Sequence, residues 1–487
     1  MFSLVSKLLG HRSLDLEPTD MDVVPCSVND MLADGMIITY GLFIPARLEV
    51  GKLRDSLQEV VTKKLPRAGA RLAYRDGQYE FHVPHRYTSG IQPYELSSTS
   101  FDGPFPSTKY NMPPQLSSEN TEPTIVPMVQ MSLFRGPGTR SSTAEYLVPN
   151  TPCVQVYIAV YEDATLIGMT APHVAFDAFG VKTLFAAWCH ALSGPLDSLP
   201  DMPRDYKPLV QLGRDFAVQN SGQPSLGLRG WFALSPFGTL RWILAHCRRA
   251  LREGKEQQRL LFVPLSWLTQ RKEECIQEVK IGDFNDWVGS NDVLLAYIAH
   301  LVYGQRRDNI PVHLHVPINL RSLLTTELHA PYLHNAIISV AIPPQSACTF
   351  GSRPLSALAL HIRHALNAFT ADLPALRYDM GALNTRTANG RPLLFPCVPG
   401  GESLTISNWR SIKMNELDFS GAVVHASDAT RARPSFVIGH SQHGAVAPLR
   451  GIGIVCSEDE RGVWVKLTLG KRVWERIAAA GLTAPSL

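Results

Sequence analysis

The chain has 487 residues, a hydrophobic content of 45% and a formal net charge of +3. This length exceeds what one hydrophobic core usually supports, so we expect two domains. The charge is small for the length and no long Lys/Arg run with interleaved aromatic residues occurs, which argues against a nucleic-acid partner or a polybasic membrane contact and favours a small-molecule partner.

The cysteines and the apolar runs are typical of a cytoplasmic protein. Eight cysteines lie far apart, without a C-x-x-C pair or a histidine at zinc-binding spacing, so we expect free and mostly buried thiols and no metal site. The apolar run at residues 1–5 is too short for a signal peptide, and no stretch approaches the roughly 20 apolar residues of a transmembrane helix. We therefore expect a soluble, cytoplasmic chain.

The first 192 residues alternate strand and helix signals. The periodicity predicts strands at 36–43, 154–160 and 164–170, and helices at 50–64 and 181–192. This alternation indicates a mixed α/β fold.

Segments rich in turn-forming residues interrupt this pattern. Residues 93–152 contain many Pro, Ser, Thr and Gly, which predicts long loops with one strand near 126–134. Five prolines within 194–227 prevent long regular elements, so we interpret that segment as a crossover linker. It separates an N-terminal domain, 1–193, from a C-terminal domain, 228–487.

The second half repeats the alternation of helices and strands. The predicted elements are helices at 231–255, 293–299 and 354–369, and strands at 312–318, 403–409, 451–456 and 463–469. The basic end of the first of these helices is interpreted as a solvated helix face rather than a phosphate site; its residues are Arg248, Arg249, Arg252 and Lys255.

Two polar patterns in this half have structural interpretations. Ser290, Asn291 and Asp292 stand directly before an apolar run, which is an N-cap signal for the helix at 293–299. His313 and His315 alternate with apolar residues and are interpreted as the polar face of a strand rather than metal ligands, since no carboxylate or thiol partner lies nearby.

The run from His173 to Gly180 is an HxxxDxxG loop between a predicted strand and a predicted helix. An imidazole titrates near neutrality and can accept a proton from a hydroxyl or amine, while the carboxylate of Asp177 can fix the loop that carries it. Such a spacing also occurs by chance, so the interpretation of this loop as catalytic depends on the predicted strand and helix on either side of it. Functional groups gather on loops at strand ends, and His173 is therefore the predicted catalytic base.

Other catalytic motifs are incomplete. Ser441 lies in a sequence close to a nucleophile elbow, but His443 replaces the required glycine and no histidine follows it. No phosphate-binding G-x-x-x-x-G-K-[ST] loop or G-x-G-x-x-G sequence occurs. The sequence does not support a hydrolase triad, a nucleotide hydrolase or a dehydrogenase.

Several segments together resemble the BAHD-type acyl-CoA-dependent acyltransferases, especially the fungal branch that includes trichothecene acetyltransferases. The HxxxDxxG loop is similar to that family's HxxxDG motif, with the glycine displaced to Gly180 as in fungal relatives. Further segments that look like family landmarks are residues 65–72, 290–296, 319–321, 332–336 and 404–409. They occur in chain order, so the resemblance covers most of the chain.

Residues 418–422 resemble the late DFGWG motif of the family but depart from it. Asp418 and the phenylalanine after it are kept, whereas a serine replaces the first glycine, the tryptophan is absent and the last glycine is an alanine. The backbone turn of this motif and any role of its tryptophan are therefore not expected to carry over.

The resemblance implies an α/β fold of two similar chloramphenicol-acetyltransferase-like domains, each a mixed sheet flanked by helices, with an active-site channel between them. Coenzyme A thioester and acceptor would enter from opposite mouths and meet at His173, with no covalent acyl-enzyme and no permanently bound cofactor. Asp177 would point away from the substrate and pair with Arg321, which makes it a structural brace. Gly180 would mark where the backbone turns into the next helix.

The resemblance also implies supporting residues. Ser407 and Asn408 are possible donors to the developing oxyanion, although such residues can merely cap a strand. Trp409 and Asp418 would support the site. Ser290 and Asn291 would contact coenzyme A.

The main functional prediction is acyl transfer, most simply of acetyl, from acyl-CoA to a hydroxyl of a specialised metabolite by a monomeric enzyme. Transfer to an amine would use the same base. A condensation-type enzyme of the same superfamily would favour a second histidine where this chain has Pro172. A non-catalytic small-molecule-binding relative is the alternative of a different class.

Overall fold

The computed structural model describes residues 20–113, 121–212, 229–280, 286–388, 394–424, 431–443 and 450–481. The strands, β1 to β17 in chain order, are Met21–Pro25, Met36–Ile44, Arg71–Arg75, Gln78–Pro84, Glu95–Ser100, Thr124–Pro127, Gln155–Val160, Thr165–Pro172, Phe232–Ala233, Glu256–Pro264, Pro311–Asn319, Ile337–Ser346, Leu394–Phe395, Glu402–Asn408, Phe436–His443, Ile452–Glu458 and Gly462–Gly470. The α-helices, α1 to α11 in chain order, are Val28–Met31, Val50–Glu59, Thr143–Tyr146, Ala178–Ala191, Pro236–Glu253, Leu265–Lys280, Ser290–Tyr303, Thr349–Ser352, Leu355–Ala371, Leu373–Ala388 and Lys471–Ala479. A π-helical turn at Val60–Lys64 extends α2, and short 3-10 helices lie at Pro66–Gly69, Ser107–Tyr110, Met131–Leu133, Leu196–Ser198, Leu320–Ser322, Arg410–Ile412, Met414–Glu416 and Ser420–Ala422.

Two mixed sheets carry most of these strands. The five-stranded sheet has the order β15-β2-β8-β7-β5, with β5 parallel to β7 and the other pairs antiparallel. The seven-stranded sheet has the order β12-β11-β14-β16-β17-β10-β6, in which β14 runs parallel to both of its neighbours. Helices pack against the sheets, and every residue of β8 and β17 is buried, as expected of strands covered on both faces. The predicted α/β fold of mixed sheets flanked by helices is confirmed.

Two strands lie in the sheet of the other half of the chain. β6, from the N-terminal half, pairs with β10, and β15, from the C-terminal half, pairs with β2. The division of the chain into two domains at 194–227 stays a prediction. Strands β6 and β15 each belong to a sheet whose other strands come mainly from the opposite side of that division.

Strands β7 and β8 and helix α4 lie where the sequence predicted them, on either side of the HxxxDxxG loop. The edge strand β5 was not predicted, because its polar side chains show no hydrophobic alternation. The strand predicted near 126–134 is wrong in extent, since β6 ends at Pro127 and a 3-10 helix follows.

His313 and His315 were predicted to form the polar face of a strand with only its other face buried, and this is wrong because their own face is buried as well. Both are buried under the small sheet of β9 and β13, with the His315 ring 4.9 Å from Trp231 and the His313 ring 5.3 Å from Phe232. Burial lowers the pKa of His313 to about 4. The covering residues come from distant parts of the chain, so local alternation could not reveal them.

The cysteines fit the expectation of free and mostly buried thiols, since all eight are unpaired and five are buried. Across the described ranges, no helix has the length and apolar character needed to cross a membrane. Within the same ranges, no three His, Cys, Asp or Glu side chains are grouped so that they could hold a metal ion.

Candidate active site

The HxxxDxxG loop connects the end of β8 to the start of α4. Asp177 is the N-cap of α4, and its side chain accepts a hydrogen bond of 2.7 Å from the backbone N–H of Gly180. This is the usual way in which a helix N-terminus satisfies a free N–H group. At the other end of the loop, the N–H of His173 donates to the carbonyl of Met36 on β2 at 2.8 Å. The loop is therefore fixed at both ends.

The structure brings Asp177 and Arg321 together. Two nitrogens of the Arg321 guanidinium donate to the two carboxylate oxygens of Asp177, at 2.9 and 3.1 Å. With the bond from Gly180, the backbone N–H of Ala336 adds a fourth bond to this carboxylate at 2.8 Å, and the Asp177 side chain is 1% exposed. Arg321 also donates to the carbonyl oxygens of Tyr332 and His334. This network ties the loop to the segment before β12.

Gly180 occupies a different position relative to helix α4 from the one predicted. It lies inside the first turn of α4 rather than at the turn into the helix. A Cβ atom at Gly180 would lie 1.7 Å from the carbonyl oxygen of Leu333, so any side chain would push the helix away from that backbone. The glycine is required by a close approach and not by the turn itself.

His173 is half-buried, with its Nδ1 atom buried and without a hydrogen-bond partner. Burial lowers the pKa of His173 below its usual 6.5, while nearby backbone groups and the charge of Asp177 act in the opposite direction. The net shift favours the neutral imidazole at neutral pH. A neutral imidazole is the form that can accept a proton.

Two residues outside the predicted site hold the backbone of His173, Asn335 directly and Asp30 through Asn335. The side-chain amide nitrogen of Asn335 donates to the carbonyl oxygens of His173 at 2.8 Å and Val174 at 3.1 Å. The same nitrogen and the backbone N–H of Asn335 both contact one carboxylate oxygen of Asp30, at 3.1 and 2.9 Å. Asp30 and Asn335 are fully buried, and burial raises the pKa of Asp30 to about 6.

Sequence reasoning missed this pair for two different reasons. Asn335 lies in residues 332–336, which were recognised as a family landmark without a role for any one side chain. Asp30 gives only a local signal, since it forms a capping box with Ser27 at the start of α1. Nothing in the sequence places residues 30, 173 and 335 side by side.

The predicted oxyanion donors lie at the end of β14. The Oγ atom of Ser407 accepts a hydrogen bond of 3.1 Å from the indole of Trp409, which leaves its own proton available to a further acceptor. The side-chain oxygen of Asn408 accepts from the N–H of Arg410 at 3.0 Å. Both side chains are half-buried.

Trp409 connects this strand end to the five-stranded sheet. Its ring stacks on Tyr40 of β2, with 5.3 Å between ring centroids and an interplanar angle of 25°. Burial raises the pKa of Tyr40, and the negative charge of Asp177 raises it further. Tyr40 therefore lies within electrostatic reach of the HxxxDxxG loop and in contact with Trp409.

Ser290 and Asn291 lie near the same strand end. The helix α7 begins at Ser290, with Gly289 as its cap, so the predicted cap residues belong instead to its first turn. Arg410 donates to Asn291 at 2.6 Å and to Ser290 at 3.2 Å, and it also pairs with Glu458. Arg410, which directly follows Trp409, was not predicted as part of the site.

The contacts of the Asp418 side chain are local to its own turn and to Arg433. Its carboxylate accepts from the N–H of Ser420 at 3.0 Å, and its charged neighbour is Arg433 at 3.9 Å. The next residue, Phe419, is fully buried with its ring 5.9 Å from Trp188 of α4. The segment 418–422 thus packs against the helix behind the loop, and the hydrogen bonds and ion pair of Asp418 do not reach His173.

No protein-family model matches the chain. Known relatives align with nearly all of it at low identity. The transcriptional regulator calD of Penicillium decumbens is 24% identical over 94% of this chain and 95% of its own length. The acetyltransferase pyiB of Pyricularia grisea is 24% identical over 89% of this chain and 86% of its own length.

Solved structures share the fold. TRI101 of F. sporotrichioides, complexed with coenzyme A and T-2, superposes with a TM-score of 0.66 at 14% identity and covers 94% of this chain and 97% of its own. The likeness extends over both mixed sheets, because so little of either chain is left unmatched.

Proposed function

We propose, from the confirmed resemblance of this chain to the fungal BAHD-type acyltransferases, that it transfers an acyl group from acyl-CoA to a hydroxyl of a specialised metabolite. One observation carries the proposal. His173 is half-buried, burial lowers the pKa of its imidazole, and its backbone N–H and C=O are both held by hydrogen bonds. A general base needs this combination of the neutral form and a fixed position.

In the proposed reaction, Nε2 of His173 takes the proton of the acceptor hydroxyl as that oxygen attacks the thioester carbonyl. The carbonyl oxygen becomes an oxyanion, which the hydroxyl of Ser407 or the amide of Asn408 stabilises; one such donor is often worth about 3 kcal/mol. The tetrahedral intermediate then expels coenzyme A thiolate, which receives the proton from the imidazolium. The products are the ester and free coenzyme A, and no acyl-enzyme forms.

The other predicted residues support this reaction without taking part in proton transfer. Asp177 and Arg321 brace the loop, and the absent side chain at Gly180 lets α4 approach the segment of Leu333. Trp409 orients Ser407 through its indole hydrogen bond. Asp418 supports the site only from behind α4.

The proposed partners are acyl-CoA and a small-molecule alcohol. TRI101 was solved in complex with coenzyme A and T-2, and this supports a thioester and a small molecule as the two substrates. Ser290 and Asn291, held by Arg410, are proposed to contact coenzyme A. We further propose that the chain acts as a monomer in the cytoplasm.

A second candidate is a small-molecule-binding protein without catalysis. The similarity to a protein named a transcriptional regulator, over nearly the full length of both chains, favours it. The altered residues at 420–422 also favour it, whereas the retained His173 and Asp177 oppose it.

The test is thiol release from acetyl-CoA by the purified protein with a panel of alcohols and amines, with products identified by mass spectrometry. Acceptor-dependent release with an ester product supports the proposal, and an amide product would make the chain an N-acyltransferase. Tight binding of an acceptor without any thiol release would favour the non-catalytic candidate.

A further inference from the structure

Helix α5, Pro236–Glu253, has an apolar face that stays exposed among the described residues. In the described part of the chain nine large hydrophobic side chains are exposed, and four of them belong to this helix. They are Phe237 (70% exposed), Leu240 (51%), Leu244 (47%) and Leu251 (81%). Large apolar side chains that are exposed singly are ordinary, but a contiguous group marks an interaction surface.

The spacing of these four residues places them on one side of the helix. Steps of three, four and seven residues follow the period of an α-helix, so the side chains form a single stripe. With a rise of 1.5 Å per residue, the stripe is about 21 Å long. We call Phe237, Leu240, Leu244 and Leu251 the apolar stripe.

The opposite side of the helix is fixed to the protein. Trp242 donates from its indole nitrogen to the sulfur of Cys397 at 3.2 Å and packs on Phe395 with 5.0 Å between ring centroids. The helix is thus held with the apolar stripe outward, and it needs no rearrangement to present that stripe.

Positive charge flanks the apolar stripe, and helix α5 itself has no exposed carboxylate. Arg241 and Arg248 are exposed at helical spacing and form no ion pair with any residue in the described ranges. Exposed Lys255 follows the end of the helix. The one carboxylate in the helix, Glu253, is 2% exposed and points inward to Arg450 at 2.9 Å.

We infer that α5 docks this face on an anionic phospholipid bilayer, lying in the plane of the interface. Apolar side chains along one face with arginines at its flanks are the features of helices that bind at such an interface. A second copy of the chain fits less well, because a symmetric contact would bring the arginines of both copies together. The predicted absence of a membrane contact rested on the lack of a basic run, and here the charges are distributed at helical intervals instead.

Docking through α5 leaves the proposed catalytic residues clear. Arg252 of α5 donates to Glu402 at 2.9 Å, and Glu402 begins β14, whose other end carries Ser407 and Asn408. The length of the intervening strand is about 17 Å. The inference is independent of the proposed catalysis, and substitutions on the outer face of α5 can be tested without touching it.

The experiment is flotation of the full-length protein with vesicles of phosphatidylcholine alone or phosphatidylcholine with phosphatidylserine. We expect binding to the anionic vesicles that weakens as salt is raised, since salt screens the arginines. The variant Arg241→Glu/Arg248→Glu should bind at least about tenfold more weakly, given the usual contribution of a basic residue near such a surface. Leu240→Glu/Leu244→Glu should also lose binding.

Matched controls are Arg86→Glu and Val148→Glu, which change exposed residues elsewhere. Both should bind as the parent does. Equal binding of the parent to neutral and anionic vesicles, or none to either, would overturn the inference. So would a parent that is dimeric in solution while Leu240→Glu/Leu244→Glu is monomeric, because a second copy would then occupy the face.

Cys247 allows vesicle binding to be followed without substituting any residue of the apolar stripe. It is the one exposed cysteine of the eight and lies between Leu244 and Leu251. An environment-sensitive fluorophore on Cys247 should shift to shorter wavelength with anionic vesicles and not with neutral ones. Resistance of Cys247 to alkylation in the vesicle-free monomer would overturn the inference, since another part of the chain would then cover the face.

Discussion

The side-chain amide of Asn335 donates a hydrogen bond of 2.8 Å to the backbone carbonyl of His173. The same side chain contacts the buried carboxylate of Asp30, so a line of hydrogen bonds runs from α1 through Asn335 to the proposed base. The brace of Asp177 and Arg321 acts on the other end of the loop and holds the same segment, because Arg321 donates to His334 and the N–H of Ala336 donates to Asp177. The segment at residues 334–336 therefore fixes both ends of the loop that carries His173.

We predict that Asn335→Ala lowers kcat and shifts the pH profile. Burial lowers the pKa of His173 and the Asn335 side chain raises it to a smaller extent, so removal of that side chain should lower the pKa further and move the acid limb of kcat/KM to lower pH. A purely structural role would reduce activity without moving the limb. The measurement is kcat/KM against pH for parent and variant.

Asn29→Ala is the matched control for this variant. Asn29 is also buried on α1 and donates to a backbone carbonyl, that of Ile337 at 2.6 Å, without a contact to His173. It should lose stability but keep the pH profile of the parent. If both variants gave the parent profile, Asn335 would not act on the imidazole.

Asp177→Asn and Arg321→Met should each lower the unfolding temperature as well as activity. Either change leaves one member of a nearly buried pair uncompensated, which typically costs about 3–5 kcal/mol. The control is Arg377→Met, which breaks the more exposed pair with Glu327 and should cost no more than about 1 kcal/mol. Unchanged unfolding midpoints in both loop variants would show that the pair does not brace the fold.

Gly180→Ala should be strongly damaging, whereas Gly51→Ala should not. A methyl group at Gly180 would collide with the Leu333 carbonyl, and at Gly51 on α2 it would meet nothing within 4 Å. Alanine is also the better helix former, so Gly51→Ala is expected to be neutral or slightly stabilising. Thermal unfolding of both variants checks this, and equal midpoints would contradict the close approach of α4 to Leu333.

Ser407→Ala should lower kcat by roughly 10²-fold with little change in KM, because an oxyanion donor acts in the transition state. Ser403→Ala, on the same strand and also half-buried, is the control and should retain parent activity. If Asn408→Ala showed the loss and Ser407→Ala did not, the amide would be the donor. If both variants had the kcat of the parent, Ser407 and Asn408 would only cap the strand and would not stabilise the oxyanion.

The sequence was most informative where structure is local. The strands and helix around the HxxxDxxG loop follow from their own hydrophobic periods, and the core of this region lies where they place it. Recognition of several family segments supplied the pairing of Asp177 with Arg321, which their separation of 144 residues hides from local patterns. The loop spacing alone would not have provided it.

The sequence was least informative where distant segments meet. The exposure of His313 and His315 was predicted from strand alternation, and the covering residues around Trp231 reversed it. Asp30 and Asn335 carry ordinary polar side chains, and only the fold brings them to His173. A helix at 231–255 was predicted with a solvated basic end, but its apolar stripe was not, because periodicity does not show whether an apolar face is covered.

The most direct test is kcat/KM for acyl transfer by the parent, His173→Ala and His190→Ala between about pH 5 and pH 8. His190, near the end of α4, is the control and should behave as the parent. Burial places the pKa of His173 below 6.5, so parent activity should rise with pH through that lower value and then stay level. His173→Ala should lose about 10²–10⁴-fold and lose that acid limb. Turnover by His173→Ala at the parent rate, with the acid limb intact, would contradict the assignment of His173 as the base.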